Sequence, residues 1–199
     1  SRRSSTLGFD VENGAVQDAA KADDGEHSFL SDDEASFILR QVPPRRVFVV
    51  GGVHITQFLA PMARQAGYDV TIIDPREVFS TAERFPGSAC LTAWPDEAME
   101  GLRPDARTAV VTLTHDPKID DPGLVEALRS DAFYIGCLGS RRTHAARCER
   151  LAEAGFSADD LARLHGPAGL DIGAKTPAEI AVSILAQMID VERRRPAAS

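Results

Sequence analysis

Apolar runs of strand length alternate with amphipathic helical segments along most of this chain. The predicted strands are residues 47–50, 69–73, a short run near Cys90, 108–113 and 132–135. The predicted helices are residues 55–66, 96–101, 122–130, a segment ending near Gly155, and 177–191. Strands with apolar side chains on both faces, separated by helices, are typical of a parallel sheet covered on both sides. The pattern therefore predicts an α/β, Rossmann-like, doubly wound and mostly parallel sheet.

The amino-terminal segment lacks this alternation. Residues 1 to about 28 are polar, contain many acidic side chains and show no convincing apolar period. Residues 36–42 then read as an extended segment, which Pro43 and Pro44 end before the first buried strand. We predict that residues 1–35 are a tail or the remnant of an amino-terminal domain, and that residues 36–195 form the Rossmann-like domain. Because the chain begins with Ser1, its amino terminus is treated as incomplete.

Composition restricts the possible classes of function. The 199 residues, 43% of them hydrophobic, can bury one sizeable core. A formal net charge of -8 argues against a nucleic-acid partner. Three cysteines without a Cys-x-x-Cys pair favour a reducing compartment, so we expect a cytoplasmic protein. No apolar run approaches the roughly twenty residues that span a bilayer, so no membrane association is expected.

Polar residues follow the ends of several predicted strands. In a doubly wound sheet the ligand crevice lies beyond the carboxyl ends of the strands, where the strand order reverses between the first and fourth strands. Side chains that follow different strands are therefore expected to meet at one edge of the sheet. The residues placed there are His54, Asp74, Arg76, His115, Asp116, Gly139, Ser140 and Arg141.

The turn after the first strand is an altered dinucleotide fingerprint. Gly51 is kept, but Val53 occupies the place where a second glycine would let a pyrophosphate approach the backbone. Asp74 stands where a ribose acceptor is expected. A β-branched side chain at such a turn blocks close approach, so the sequence argues against NAD(P) binding.

Other polar side chains allow more than one interpretation. His54 can donate to an anion, hold a metal or act as an acid or base, or it can cap or pack locally at a helix start. For His115, beside Asp116, a functional role is favoured because it leaves a buried strand directly into the expected crevice. Ser140 can contact a phosphate together with Arg141, or it can cap a helix, and the phosphate contact is favoured.

A metal site and a reactive thiol are both disfavoured. No spacing forces His54, His115, Asp116 and Asp120 to converge on a metal, and Asp120 with Asp121 can cap the following helix. Cys137 is predicted to be a small buried hydrophobic residue.

The segment of residues 169–184 combines several structural signals. Gly169 and Gly173 bracket a tight loop, and a helix then begins with an N-cap at Thr176 and a capping-box glutamate at Glu179. Lys175 adds a positive charge at a helix amino terminus, which favours anions, although Glu179 competes for the same field.

Taken in order, these motifs resemble the xanthine dehydrogenase accessory family of the XdhC/CoxI type, over about residues 40–192. The motifs are the first turn with Gly51 and His54, Ile73-Asp74-Pro75-Arg76, Glu83-Arg84-Phe85-Pro86, Thr114-His115-Asp116, Tyr134-Ile135-Gly136, Gly139-Ser140-Arg141 and residues 169–184. The resemblance implies a Rossmann-like carboxy-terminal domain that helps molybdenum hydroxylases to mature. The resemblance also implies that full-length members carry an additional amino-terminal domain, which has its own cysteine-containing motif. No such motif is found before Ser36 in this sequence.

The resemblance implies a cofactor-binding site and no catalytic or metal-binding residue. Its cofactor-binding residues are Gly51, Gly52, His54, Asp74, Arg76, His115, Asp116, Gly139, Ser140, Arg141, Asp171 and Lys175. The ligand it implies is the molybdenum cofactor, a molybdopterin, with a dinucleotide form as an open alternative.

The favoured function is a non-catalytic chaperone that protects this cofactor, assists its sulfuration or delivers it. The implied partners are a molybdenum hydroxylase apoenzyme such as xanthine dehydrogenase or a CO dehydrogenase-like enzyme, a cysteine desulfurase, and a second copy of the chain. Two alternatives remain open at this point. One is an NAD(P)-dependent oxidoreductase, and the other is a non-catalytic docking or dimerisation domain.

Overall fold

A computed structural model describes residues 5–12, 15–17, 28–31, 36–41 and 43–195 of the chain. The chain divides into two compact units between Pro44 and Arg45, and the second unit ends at Arg195. The boundary therefore lies after the extended segment of residues 36–41, nine residues later than the predicted one (44 minus 35).

The first unit contains a small antiparallel sheet. Its strands are β1 (Ser5–Asp10), β2 (Val16–Gln17), β3 (Phe29–Leu30) and β4 (Ser36–Gln41), in the order β2-β1-β4-β3. In β1, Leu7 and Phe9 alternate with small or polar residues, and Leu7 lies opposite Leu39 of β4. The sequence does not reveal these strands, because so short a period-two pattern is hidden among many acidic residues. The assignment of residues 1–35 to a tail or to the remnant of an amino-terminal domain stays a prediction.

The second unit contains a six-stranded parallel sheet. Its strands are β5 (Arg45–Val50), β6 (Tyr68–Ile73), β7 (Ala89–Leu91), β8 (Thr108–Thr112), β9 (Tyr134–Cys137) and β10 (Leu164–His165). Their order is β10-β9-β8-β5-β6-β7, and all neighbouring strands are parallel. In chain order this is 6-5-4-1-2-3, with the reversal between the first and fourth strands. The predicted Rossmann-like sheet is confirmed.

Helices cover both faces of this sheet. They are α1 (His54–Gln65), α2 (Pro95–Leu102), α3 (Pro117–Arg129), α4 (Arg141–Glu153), α5 (Ala158–Leu161) and α6 (Pro177–Arg194). Successive residues of β5 point to opposite faces. Val47 and Val49 pack with α1 and α6, whereas Phe48 and Val50 pack with α2, α3 and α4. Apolar residues on both sides of each central strand thus form two cores.

Helix α3 begins five residues earlier than predicted (122 minus 117). Its N-cap is Asp116, whose side chain accepts a hydrogen bond from the Lys118 N–H, and Pro117 is its first residue. The prediction that Asp120 and Asp121 cap this helix is wrong, because both lie inside it. Pro122 also lies inside the helix, where it lacks the N–H of one helical hydrogen bond.

Two short elements, α5 and β10, were not predicted. Both are too brief to show a hydrophobic period. Among the described residues, no helix combines the length and apolar character needed to cross a bilayer.

Candidate functional site

The turn after β5, residues 51–53, is packed tightly against the turn after β8. Gly51 has a φ of 107° and donates its N–H to the Ile73 carbonyl at 2.8 Å. A Cβ on Gly51 would lie 2.6 Å from Thr114 Cγ2. This first turn therefore requires glycine both for its backbone conformation and for the close approach of Thr114.

Asp74, at the end of β6, is fully buried against the first turn. Its Oδ2 accepts from the Gly52 N–H at 2.9 Å, and its two oxygens accept from Arg76 Nε and Nη2, each at 2.8 Å. Burial alone would raise the pKa of Asp74, but the hydrogen bonds from Arg76 and Gly52 outweigh it and lower the pKa. Both oxygens of Asp74 are thus paired within the chain, and the expected contact with a ribose hydroxyl stays a prediction.

The turn after β8 is stabilised by hydrogen bonds to Asp120, which lies on α3. The Asp120 carboxylate accepts from the Thr114 hydroxyl at 2.8 Å and from the His115 N–H at 3.1 Å. Burial raises the pKa of Asp120, and these hydrogen bonds oppose that shift. His115 is exposed and has a φ of 63°, which is unfavourable for a residue with a Cβ. Asp120 thus stabilises a strained turn that presents His115 to solvent.

Arg76 pairs with Asp74 and is within electrostatic range of two acidic residues that follow β8. Hydrogen bonding to Asp74 raises the pKa of Arg76, and the negative charges of Asp116 and Asp120 act in the same direction. The carboxyl ends of β5, β6 and β8 therefore bring together four predicted site residues: Gly51, Gly52, Asp74 and Arg76, with Asp116 close enough to affect Arg76 electrostatically.

A second group of predicted residues lines a pocket of about 390 Å³, which we call the terminal-loop pocket. Gly139 lies two residues before α4, Arg141 is the first residue of that helix, and Asp171 lies in the loop before α6. The remaining lining residues are Leu138, Pro167, Ala168, Gly169, Leu170, Ile172, Gly173, Ala174, Ile180 and Ser183. Within the described part of the chain, no hydrogen bond or ion pair is formed by the side chains of Arg141 and Asp171. Both charges are available to a ligand.

The loop that forms one wall of this pocket is fixed by two hydrogen bonds that its backbone N–H groups donate. The Ala168 N–H donates to the Cys137 carbonyl at 2.9 Å, and the Gly169 N–H donates to Gln187 Oε1 at 2.8 Å. A Cβ on Gly169 would lie 2.2 Å from Ser183 Oγ, so this position requires glycine. Gly169 and Gly173 have φ values of 102° and 74°, which agrees with the predicted tight loop.

Ser140 and Lys175 do not line the terminal-loop pocket. Ser140 Oγ accepts from the Thr143 N–H at 3.1 Å and caps α4, as in the helix-cap alternative, and its favoured phosphate contact stays a prediction. The predicted capping box of α6 is present, formed by Thr176 and Glu179. Glu179 accepts from the N–H groups of Lys175 and Thr176, at 2.8 Å and 2.9 Å, which occupies donors that an anion would need.

Two other predicted residues stand apart from both groups. His54 is exposed at the start of α1, with its ring 5.6 Å from that of Phe58, as in the local-packing alternative. Cys137 is completely buried, as predicted, and burial raises the pKa of its thiol to about 12. Across the described residues, no group of three or more His, Cys, Asp and Glu side chains could hold a metal ion.

The sequence did not identify most residues that line the pocket. It also did not identify Asp120 as the acceptor of hydrogen bonds from the turn after β8. Leu138, Ile172 and Ile180 are ordinary apolar residues, which carry no chemical signal in a sequence. Asp120 was considered only as a helix cap or a metal ligand, although an acidic residue four positions beyond Asp116 could have indicated an inward-facing side chain.

Comparison with known proteins identifies relatives over most of the chain. Residues 47–188 match the family model described as the XdhC Rossmann domain. A protein of Escherichia coli K12 called molybdenum cofactor insertion chaperone PaoD is 32% identical over 149 residues, which are 75% of this chain and 41% of that protein. A probable xanthine dehydrogenase subunit of Bacillus subtilis 168 is 31% identical over 159 residues, which are 79% of this chain and 46% of that protein.

A third relative is the uncharacterized protein YqeB of Escherichia coli K12, with 32% identity over 76% of this chain and 28% of that protein. The chain thus spans less than half the length of these curated relatives. A solved structure described as a xanthine dehydrogenase from Bacillus halodurans superposes with a TM-score of 0.74. It covers all of this chain and 62% of that one at 23% identity, which supports the fold.

Proposed function

Because the chain belongs to the family of XdhC Rossmann domains, we propose that it is an accessory protein that binds the molybdenum cofactor for a molybdenum hydroxylase. The binding site in this proposal is the terminal-loop pocket. The name of the relative PaoD supports a role in cofactor insertion, and that of the Bacillus subtilis relative supports a link to xanthine dehydrogenase.

The chemistry of the terminal-loop pocket fits a phosphate-bearing pterin. Gly139 has a φ of 137° and lies directly before the amino terminus of α4, where backbone N–H groups favour a phosphate. Arg141 adds a guanidinium that can form charge-assisted hydrogen bonds to the same phosphate. Asp171 supplies a carboxylate that can accept from the N–H groups at the polar edge of a pterin.

The apolar part of the pocket suits the flat ring of such a ligand. Leu138, Ile172 and Ile180 contribute aliphatic side chains to its wall. Ligand sites in proteins combine such apolar walls with a few polar groups that fix orientation. In this proposal the pocket residues orient the pterin and keep water from one face of it, while the bound cofactor supplies the molybdenum on which a hydroxylase depends.

The chain acts in this proposal as a chaperone that protects the cofactor and assists its sulfuration or its transfer to an apoenzyme. The proposed partners are a xanthine dehydrogenase or CO dehydrogenase-like hydroxylase and a cysteine desulfurase, in the cytoplasm. Exposed His54, His115 and Lys175 at the same edge of the sheet are proposed to contact the cofactor or these partners. No catalytic step is assigned to the chain.

The observation that carries the proposal is the pair of uncompensated charges, Arg141 and Asp171, in one pocket. Isothermal titration of the purified chain with molybdopterin tests it. Replacing Arg141 by alanine removes a charged hydrogen bond worth roughly 1.5–3 kcal/mol, so we expect the affinity to fall about tenfold or more. Asp171→Ala should also weaken binding, because the polar edge of the pterin then loses its acceptor.

Arg129→Ala is the matched control for this titration. Arg129 is an exposed arginine on α3 that pairs with Glu126 at 2.9 Å. Its loss should leave cofactor affinity unchanged. If Arg141→Ala and Asp171→Ala bind the cofactor as tightly as the wild-type chain does, the proposed pocket is wrong.

A further inference from the structure

A second pocket, of about 340 Å³, lies at the amino ends of β5, β6 and β7, and we call it the amino-edge pocket. The amino-edge pocket and the terminal-loop pocket are lined by different residues. Strand β7 pairs with residues 71–73 of β6, so the pocket lies beside residues 68–70, where β7 has not yet begun. In the β5–β6 register Phe48 lies opposite Thr71, and both side chains therefore point to the sheet face that packs with α2.

The Thr71 hydroxyl is a buried polar group for which the chain supplies no partner. Thr71 is only 9% exposed, and within the described residues its hydroxyl forms no hydrogen bond. Buried hydroxyl groups are normally hydrogen-bonded to protein, water or a ligand. Because Thr71 lines the amino-edge pocket, an occupant of this pocket can supply the missing partner.

Two opposite charges line the same pocket. Arg64, in the last turn of α1, donates its Nη1 to the Pro86 carbonyl at 2.8 Å. A Cβ on Gly87 would overlap the Arg64 guanidinium, so glycine at this position lets the guanidinium lie against the backbone. Asp69 is exposed on β6. Across the part of the chain that the structure describes, Arg64 forms no ion pair, and the Asp69 carboxylate forms neither an ion pair nor a hydrogen bond.

The other arginine of this pocket is already compensated. Arg46 donates to the carbonyl groups of Leu102 and Arg103, each at 2.8 Å, and its guanidinium pairs with Asp105 at 3.0 Å. The charges that remain for a ligand are therefore one guanidinium and one carboxylate. Such a pair matches a molecule that carries one carboxylate and one ammonium group.

Apolar groups complete the amino-edge pocket. Phe48, Val70, Ala89 and Leu102 contribute to its lining. Ligand sites combine such apolar walls with a few polar groups, and the volume of about 340 Å³ lies within the roughly 300–1,000 Å³ that is usual for them. A small ligand with a short aliphatic side chain fits this combination.

We propose that the amino-edge pocket binds a free α-amino acid with an aliphatic side chain. The Arg64 guanidinium binds the carboxylate of the ligand, and the Asp69 carboxylate accepts from its ammonium group. The Thr71 hydroxyl lies two positions further along the same strand and accepts from the same ammonium group. This inference is independent of the proposed function, because the residues that carry it do not line the terminal-loop pocket.

An NMR titration of the full ¹⁵N-labelled chain with L-leucine tests this inference. Two analogues of L-leucine each lack one charge: 4-methylpentanoate has no ammonium group, and 3-methylbutylamine has no carboxylate. We expect L-leucine to shift the backbone amide signals of Asp69, Thr71 and Gly87. We also expect it to bind at least about tenfold more tightly than either analogue, because each analogue loses a charged hydrogen bond.

Two variants assign the charges to their residues. Asp69→Asn should reduce the preference for L-leucine over 4-methylpentanoate at least about threefold, because the ammonium group loses its charged acceptor. Arg64→Gln should reduce the preference over 3-methylbutylamine by a similar factor, because the carboxylate loses its charged donor. Both replaced residues are exposed, and circular dichroism establishes that the variants are folded. Arg129→Ala, on α3, is the control and should leave all three affinities unchanged.

The inference is overturned if L-leucine leaves the three amide signals in place or binds no more tightly than either analogue. It is overturned as well if Asp69→Asn or Arg64→Gln is folded and leaves its preference intact. Selective binding of L-leucine that each variant weakens in the expected direction supports it.

Discussion

Asp74 occupies the position of a ribose-binding carboxylate in this fold, but its hydrogen bonds are made within the chain. It stands at the end of β6, where a ribose acceptor is expected, yet it pairs with Gly52 and Arg76. The spacing from Gly51 to Asp74 predicted the position of this carboxylate but not its partners. The prediction against a phosphate at the first turn rests on the branched side chain of Val53, and it stays a prediction.

The ion pair between Asp74 and Arg76 leads us to predict how the stability of the chain depends on pH. Because its folded-state pKa is lowered, the unfolded chain, with an aspartate pKa of about 3.9, binds a proton first as the pH falls. The stability that Asp74 contributes is therefore present above about pH 4 and is lost on further acidification. We expect Asp74→Asn to lower the free energy of unfolding by roughly 1–3 kcal/mol at neutral pH, since it removes a charged acceptor from a buried network.

Urea denaturation of both proteins at several pH values measures this difference. The gap between the wild-type chain and Asp74→Asn should narrow as the pH falls below about 4. A gap that stays constant or widens on acidification would show that the Asp74 charge does not stabilise the folded state.

Helix α6 is the element whose beginning could be predicted in most detail. Thr176, Pro177 and Glu179 occupy the N-cap, first and third helical positions, as their order in the sequence indicated. These signals are local, because each depends on hydrogen bonds between residues three positions apart. The same helix forms part of the wall of the terminal-loop pocket through Ile180 and Ser183.

The capping box of α6 gives a prediction at the scale of the element. Thr176→Ala removes the hydroxyl that accepts from the Glu179 N–H at 3.3 Å. Loss of an N-cap typically costs about 1 kcal/mol, so thermal or urea unfolding should show a destabilisation of that size. Thr176→Ser keeps the hydroxyl and is the control. If the two variants are equally stable, the capping hydrogen bond contributes nothing measurable.

Other elements depended on contacts that no local pattern reveals. Pro122 looks like a helix start, but Asp116 and Pro117 provide the stronger signal of a cap followed by proline. Strand β10 is only two residues long and forms because Leu164 and His165 pair with β9. The terminal-loop pocket likewise arises from tertiary packing, since its apolar residues come from the loop after β9 and, about thirty positions later, from the loop before α6 and from α6 itself.

At the scale of the whole molecule, the order of the six strands decides where ligands can bind. The reversal between β5 and β8 places the predicted residues at the carboxyl edge of the sheet. At that edge eight of the twelve predicted site residues form two groups. The group around the first turn is paired within the chain, whereas the terminal-loop pocket keeps Arg141 and Asp171 available. The sequence predicted the shared edge, but it could not predict this separation.

The central claim is that the terminal-loop pocket holds a molybdenum-cofactor pterin. Native mass spectrometry of the chain purified from molybdenum-replete cells, beside its Arg141→Ala variant, tests this claim most directly. We expect one retained pterin per wild-type chain and its loss from Arg141→Ala. A wild-type chain that retains no pterin, or an Arg141→Ala variant that retains as much as the wild type, would contradict it.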